Sequence, residues 1–280
     1  IKQIPGVADV VLEQQYEPAA SENTVQPNME ISTGMTGTTT AWSTGYTGAG
    51  MRIAIIDTGL DMSHQSFDNG AYEYALEQNA ARAKESVEAY KASLDLLDAD
   101  EINEKLSLLH IKEGVSAADL YRTEKVAYGY CYIDKDLDVT HETDTEGEHG
   151  SHVAGIAAAN RYLPDGNGGY VSALDSVHMH GAAPDAQVLV MKVFGDEGGA
   201  YDSDYTAAIE DAIVLGADTI NLSLGSASPG PSKARTEAYQ KIFDDLENAS
   251  SVVTVSSGNA GYWAKNADPI GYLYSDGVSM

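Results

Sequence analysis

Three polar residues, each at the margin of an apolar segment, are placed for acid–base and electrostatic chemistry. Asp57 ends the run Ile53-Ala54-Ile55-Ile56, and His149 opens the stretch His-Gly-Ser-His-Val-Ala-Gly. Asn259 follows Val252-Val253-Thr254-Val255-Ser256-Ser257-Gly258. A carboxylate and an imidazole brought together can hold and move a proton, and a fixed amide can donate to an oxyanion as it develops. Each residue also has a plainer use. Asp57 can cap a turn, His149 and His152 can form a structural pair or half of a metal site, and Asn259 between glycines can sit in a left-handed turn. His152 reads as structural. His178 and His180, and the alternating Asp134, Asp136 and Asp138, fall in loops where exposed polar residues are the ordinary case.

The elements that must position these groups follow from pattern. Four apolar residues before Asp57, three of them β-branched, describe a strand buried on both faces, and Gly59 breaks it at once. In open α/β sheets, function gathers at the carboxyl ends of strands, where Asp57 sits. His149 starts a helix that turns apolar through Val153, Ala154, Ile156 and Ala157 and runs to Asn160. A strand Val188 to Phe194, a helix Ser203 to Leu215 stopped by Gly216, and a strand Thr219 to Ser223 follow. A helix from about Pro231 to Ala249 then leads into the Asn259 strand. This alternation implies an α/β fold, a mainly parallel sheet with helices on both faces.

Between Asp57 and His149 lies an insertion at about 69–127. Ala71 to Leu97 carries no Gly or Pro and is rich in Ala, Glu, Lys, Leu and Tyr, which predicts a helix. A second helix is expected from Asp100 to His110 and a short one opening at Ser116, before a strand from Val126 to Ile133. His110 reads as a helix-end residue rather than a ligand. Cys131, the single cysteine, lies between Tyr130 and Tyr132 and reads as a buried structural thiol.

Taken in order, these segments resemble the subtilisin-like serine proteases, whose triad runs Asp, His, Ser along the chain. Asp57 matches the family's Asp-Thr/Ser-Gly-Ile/Leu-Asp motif. His149 matches the first histidine of His-Gly-Thr-His-Val-Ala-Gly, with Ser151 in place of the usual Thr, and Asn259 matches the oxyanion Asn in Ser-Gly-Asn. Gly181-Ala182-Ala183-Pro184 and Asn221-Leu222-Ser223-Leu224-Gly225 agree as well, so the resemblance covers roughly Trp42 to the end of the sequence. It is nearest to the large cell-envelope subtilases of Gram-positive bacteria, the lactocepin and C5a-peptidase types. The resemblance implies a serine endopeptidase acting by acyl transfer. His149 would be the proton carrier, Asp57 its orienting partner and Asn259 an oxyanion donor. Ser223, Leu224 and Gly225 on one side, and Gly198 and Gly199 on the other, would offer backbone to an extended protein or peptide substrate.

The nucleophile is missing from this pattern. Gly277-Val278-Ser279-Met280 looks like the start of the family's Gly-Thr-Ser-Met-Ala-x-Pro. Ser279 lies too soon after Asn259 for the intervening strands, and is expected to be an ordinary loop residue. The expectation is therefore a catalytic domain over 41–280, incomplete at its C-terminus, whose serine and remaining part lie beyond this sequence. Residues 1–18, with Ile4-Pro5-Gly6-Val7 leading into a short strand through Leu12, resemble the tail of an inhibitory prodomain. Residues 19–40 read as a linker that would hold the maturation cut; a plain N-terminal arm is the other reading.

Composition narrows the partners. With 43 acidic and 16 basic residues the formal charge is −27, which argues against nucleic-acid binding and against adsorption to anionic lipid. No apolar run of membrane-spanning length is present. A secreted or cell-wall-associated location fits the resemblance. Many subtilases carry a calcium-ligating carboxylate nine residues after the triad Asp; here Ser66 stands there, with Asp68 two further on. Calcium is left open, and no cofactor is expected to be required. Two rivals remain: a peptide-binding relative without catalysis, and a metallohydrolase using His149, His152 and Asp57, although the zincin order His-Glu-x-x-His is absent.

Overall fold

The computed structural model describes residues 15–18, 29–142, 144–196, 198–225, 240, 242 and 244–256. Strand β1 (Gln15–Pro18) and helices α1 (Met29–Met35) and α2 (Thr38–Ser43) precede β2 (Arg52–Asp57). Helices α3 (Asn69–Ala83), α4 (Val87–Ala92), α5 (Ala99–Lys105) and α6 (Ala117–Leu120) lead to β3 (Val126–Cys131). Helix α7 (His149–Ala158) is followed by the hairpin β4 (Tyr162–Pro164) and β5 (Tyr170–Ser172), then α8 (Ala173–Val177) and β6 (Gln187–Lys192). The rest is β7 (Ala200–Tyr201), α9 (Asp202–Val214), β8 (Thr219–Leu222), β9 (Leu224–Gly225) and β10 (Val252–Val255).

Five strands form one parallel sheet in the order β10-β8-β2-β6-β3. Side chains alternate across a strand, so β2 feeds two cores. Ala54 and Ile56 join Leu189, Met191 and Ile220 with Ala208, Ile209 and Ala212 of α9. Ile53 and Ile55 join Val188 and Val190 with Ala154 and Ala158 of α7 on the other face. The α/β class, with a mainly parallel sheet flanked by helices, is as the alternating pattern predicts.

Helix lengths differ from expectation where the chain can cap early. The segment expected as one helix from Ala71 to Leu97 is two, because Lys84 takes a left-handed conformation (φ 63°) that closes α3. Ser86 then caps α4, its side chain accepting from Ala89 N. The helix expected at 100–110 stops at Lys105 and tightens into a 3₁₀ turn, Leu106–Leu108. Ser116 does open α6, through a capping box with Asp119. The Gly/Asn-rich stretch after α7 is a hairpin turn, held by Asp165 Oδ1 accepting from the backbone N–H of Asn167 and Gly169.

Candidate active site

Asp57, the last residue of β2, is buried, and its Oδ1 accepts from Thr58 N at 2.7 Å. The same oxygen lies 2.8 Å from Nδ1 of His149, the first residue of α7, 92 positions along the chain. A carboxylate only accepts, so Nδ1 carries the hydrogen and Nε2 is the basic nitrogen. The imidazole is 15% exposed against 1% for the carboxylate. The acid is thus the buried anchor and the ring the group within reach of solvent.

Two glycines make this meeting possible. A Cβ on Gly150 would collide with the Gly59 carbonyl, and a Cβ on Gly59 (φ 111°) would collide with the Val139 carbonyl. The start of α7 therefore packs backbone to backbone on the turn after Asp57, and the strand 53–57 and the helix 149–158 approach as side chains would not allow. Thr58 stitches the contact: its Oγ accepts from Gly150 N at 2.9 Å and donates to Gly147 O at 3.0 Å. Ser151 contributes a second stitch, accepting from Asp61 N at 2.8 Å and lying 2.8 Å from His141 Nε2.

A second construction lies on the segments expected to bind substrate. Strand β1 runs antiparallel to β7 on one side, pairing Gln15 with Tyr201 and Tyr16 with Ala200. On its other side it runs antiparallel to β9, pairing Glu17 with Gly225 and Pro18 with Leu224. An extended piece of this same chain thus lies between the two segments. Leu224 and Gly225 pair directly; Gly198 and Gly199 lead into the pairing residues Ala200 and Tyr201, which pattern reading missed because a two-residue strand leaves no periodicity. Ser223 Oγ accepts from Asn221 Nδ2 at 2.9 Å.

The other polar residues singled out from sequence lie apart from this pair. His152 is exposed on α7. His110 packs on Asp211, with Nδ1 at 2.8 Å from Oδ1. Burial pushes the Cys131 thiol up to about 12, where it is inert at neutral pH. Asp136 and Asp138 accept from nearby backbone N–H groups of their own loop. Asp68 caps α3, its Oδ1 accepting from Ala71 N at 2.7 Å. Among the described residues no group of three His, Cys, Asp or Glu side chains is placed to hold a metal. Asn259 and Ser279, and the strand expected at Ile4 to Leu12, lie outside the described residues.

Sequence reading also overlooked Lys192, although a lone lysine inside the apolar run Val188 to Phe194 signals a buried partner. Its ammonium lies 2.6 Å from Asp144 Oδ2 and donates to Thr140 O at 2.7 Å, and both side chains are 2% exposed.

Comparison with known proteins gives the family. Residues 48–274 match the model of the subtilase family, peptidase S8. A PII-type proteinase of Lacticaseibacillus paracasei is 28% identical over 267 residues, 93% of this chain and 11% of that protein. The minor extracellular protease Vpr of Bacillus subtilis is 29% identical over 246 residues, 86% of this chain and 22% of that protein. A C5a peptidase of Streptococcus pyogenes is 28% identical over 218 residues, 76% of this chain and 15% of its own length. The chain therefore spans between about a tenth and a quarter of these relatives.

Proposed function

The chain belongs to the subtilase family, and from that premise we propose that it is part of a serine endopeptidase that cleaves extended peptide segments by acyl transfer. The observation that carries this reading is the 2.8 Å contact between Asp57 Oδ1 and His149 Nδ1 at the carboxyl edge of the sheet. His149 Nε2 takes the proton of a serine nucleophile outside the described residues and passes it to the leaving amine. Asp57 holds the ring's tautomer and stabilises the imidazolium without itself being protonated. Asn259 donates its side-chain amide to the tetrahedral oxyanion.

The substrate takes the place of β1, with its main chain paired to Ala200 and Tyr201 on one side and to Leu224 and Gly225 on the other. Support comes from β1 itself, an extended segment already accepted there by backbone pairing. On this reading residues 1–18 are the tail of an inhibitory prodomain, the maturation cut falls within 19–40, a stretch expected as a linker that carries α1 and the start of α2 in its second half, and 41–280 belong to the catalytic domain. Action outside the cytoplasm is supported by the name of the Bacillus subtilis relative, an extracellular protease, and by the strongly acidic composition.

Treating the full-length protein with a peptidyl phosphonate, which couples covalently only to an activated serine, tests the reading. We expect one serine to be labelled, labelling to vanish in His149→Ala, and peptide hydrolysis to be lost with it. Peptide binding without labelling would replace the enzyme by a peptide-binding relative, and hydrolysis inhibited only by metal chelation would reject the triad.

A further inference from the structure

At the opposite edge of the sheet from Asp57, a cavity of about 340 Å³ opens beside the residues that precede β2 and β6. Its walls carry Trp42, Arg82, Arg161, Leu174, His180 and Pro184. The aromatic wall is fixed. Trp42 Nε1 donates to Ala182 O at 2.9 Å, and the indole packs on the His180 ring at 4.2 Å between centroids, tilted by 52°.

His180 is 5% exposed, and its Nδ1 lies 2.8 Å from Gly181 O. A carbonyl only accepts, so Nδ1 carries the hydrogen and Nε2 presents a lone pair that meets no donor among the described residues. Burial lowers the pKa of this imidazole, which keeps it neutral and accepting.

Two of the chain's five arginines reach the same cavity. Arg161 is anchored: Nε lies 2.9 Å from Asp185 Oδ1, and Nη2 donates to Ala75 O and Asn79 Oδ1. These contacts leave Nη1 without a partner among the described residues. Arg82, in the last turn of α3, has no ion-pair partner among the described residues. In a chain of formal charge −27 the long-range field repels anions, so two guanidiniums at one cavity define a local exception.

We infer that this cavity is a binding site for a small carboxylate that carries an adjoining hydrogen-bond donor and a flat apolar body, the chemistry of a peptide's C-terminal residue. The carboxylate sits against Arg82 and Nη1 of Arg161, the N–H donates to His180 Nε2, and the side chain lies against Trp42 and Leu174. The site is separate from the proposed catalytic pair, at the far end of α7 from His149, and its occupation does not depend on the protease reading.

Isothermal titration of the full-length protein with N-acetyl-phenylalanine, the phosphonate being present to block any catalytic groove, tests the assignment. A Kd of about a millimolar or tighter is expected for a ligand of this size. N-acetyl-phenylalanine amide, which lacks the charge, and the Arg82→Gln variant should each weaken binding about tenfold or more. Arg82 is exposed, so the variant should fold, and an unchanged melting temperature checks that it does. The assignment is overturned by an absence of saturable heat, by equal binding of the amide, or by full affinity in Arg82→Gln. Displacement by sulfate at the same concentration would overturn it too, by reducing the site to a general anion patch. None of these results bears on serine labelling.

Discussion

Lys192 is the register partner of Asp57 on the neighbouring parallel strand. The two backbones run side by side, and the Lys192 ammonium binds Asp144 and the Thr140 carbonyl. Val139 and Thr140 press on Gly59, and Asp144 lies in the loop that delivers His149. One buried cation therefore ties β6 to the loop that packs on the turn after Asp57 and leads to His149.

Removing one half of that ion pair should be costly. Lys192→Met or Asp144→Leu alone is expected to lose about 3–5 kcal/mol in urea unfolding, because the remaining polar group keeps its burial and loses its partner. The double variant Lys192→Met with Asp144→Leu should lose much less than the sum of the two. Strict additivity would show that the pair is not coupled.

In Asp57→Asn the amide still accepts from Thr58 N but no longer fixes the tautomer of His149. Turnover should fall on the order of 10⁴-fold with KM little changed, as in other Ser-His-Asp enzymes. A loss confined to KM would move Asp57 from the catalytic set to the binding set.

The helix start and the helix interior should respond differently to the same added methyl group. Gly150→Ala meets the Gly59 backbone and should cost about 2–4 kcal/mol together with most activity. Gly155→Ala, on the same helix, meets only the flexible end of Met179 at 3.4 Å. It should be neutral, or stabilising by up to about 1 kcal/mol. Thermal unfolding of the two variants in parallel decides.

Lys125 gives the stability a pH dependence of known sign. It is fully buried between the carbonyls of Pro184 and Ala186, and burial pulls its pKa down to about 7, with Asp185 opposing. Between pH 7 and its ordinary value near 10.4 the unfolded chain binds more protons, so this group makes stability rise with pH. The slope is at most about 1.4 kcal/mol per pH unit. Cys131 acts in the opposite sense above its ordinary value of about 8.5, which limits the clean window to roughly pH 7–8.5. In that window Lys125→Met should flatten the curve, and an unchanged slope would assign it to other groups.

Much of the frame was legible from residue order because both faces of the sheet are covered. β2 and β6 appear as apolar runs for that reason, and α7 as a run of small residues that lets backbones touch. The Asp57–His149 contact was legible only by resemblance, since no periodicity links residues 92 positions apart. Lys84 hid its helix break because any lysine can sit in a helix; only the local backbone shows the left-handed cap. The strands flanking β1 were hidden for the opposite reason. Pairing through main-chain groups places almost no demand on side-chain type.

The seat of β1 makes a demand on whatever is to be cut. A stretch locked in a helix or an inner strand has already spent its amide and carbonyl groups, and must surrender those bonds before it can be gripped. If catalysis is slow beside local refolding, the choice among native targets is then set by how often each target frays, in proportion to its own opening equilibrium, more than by the letters at the scissile bond.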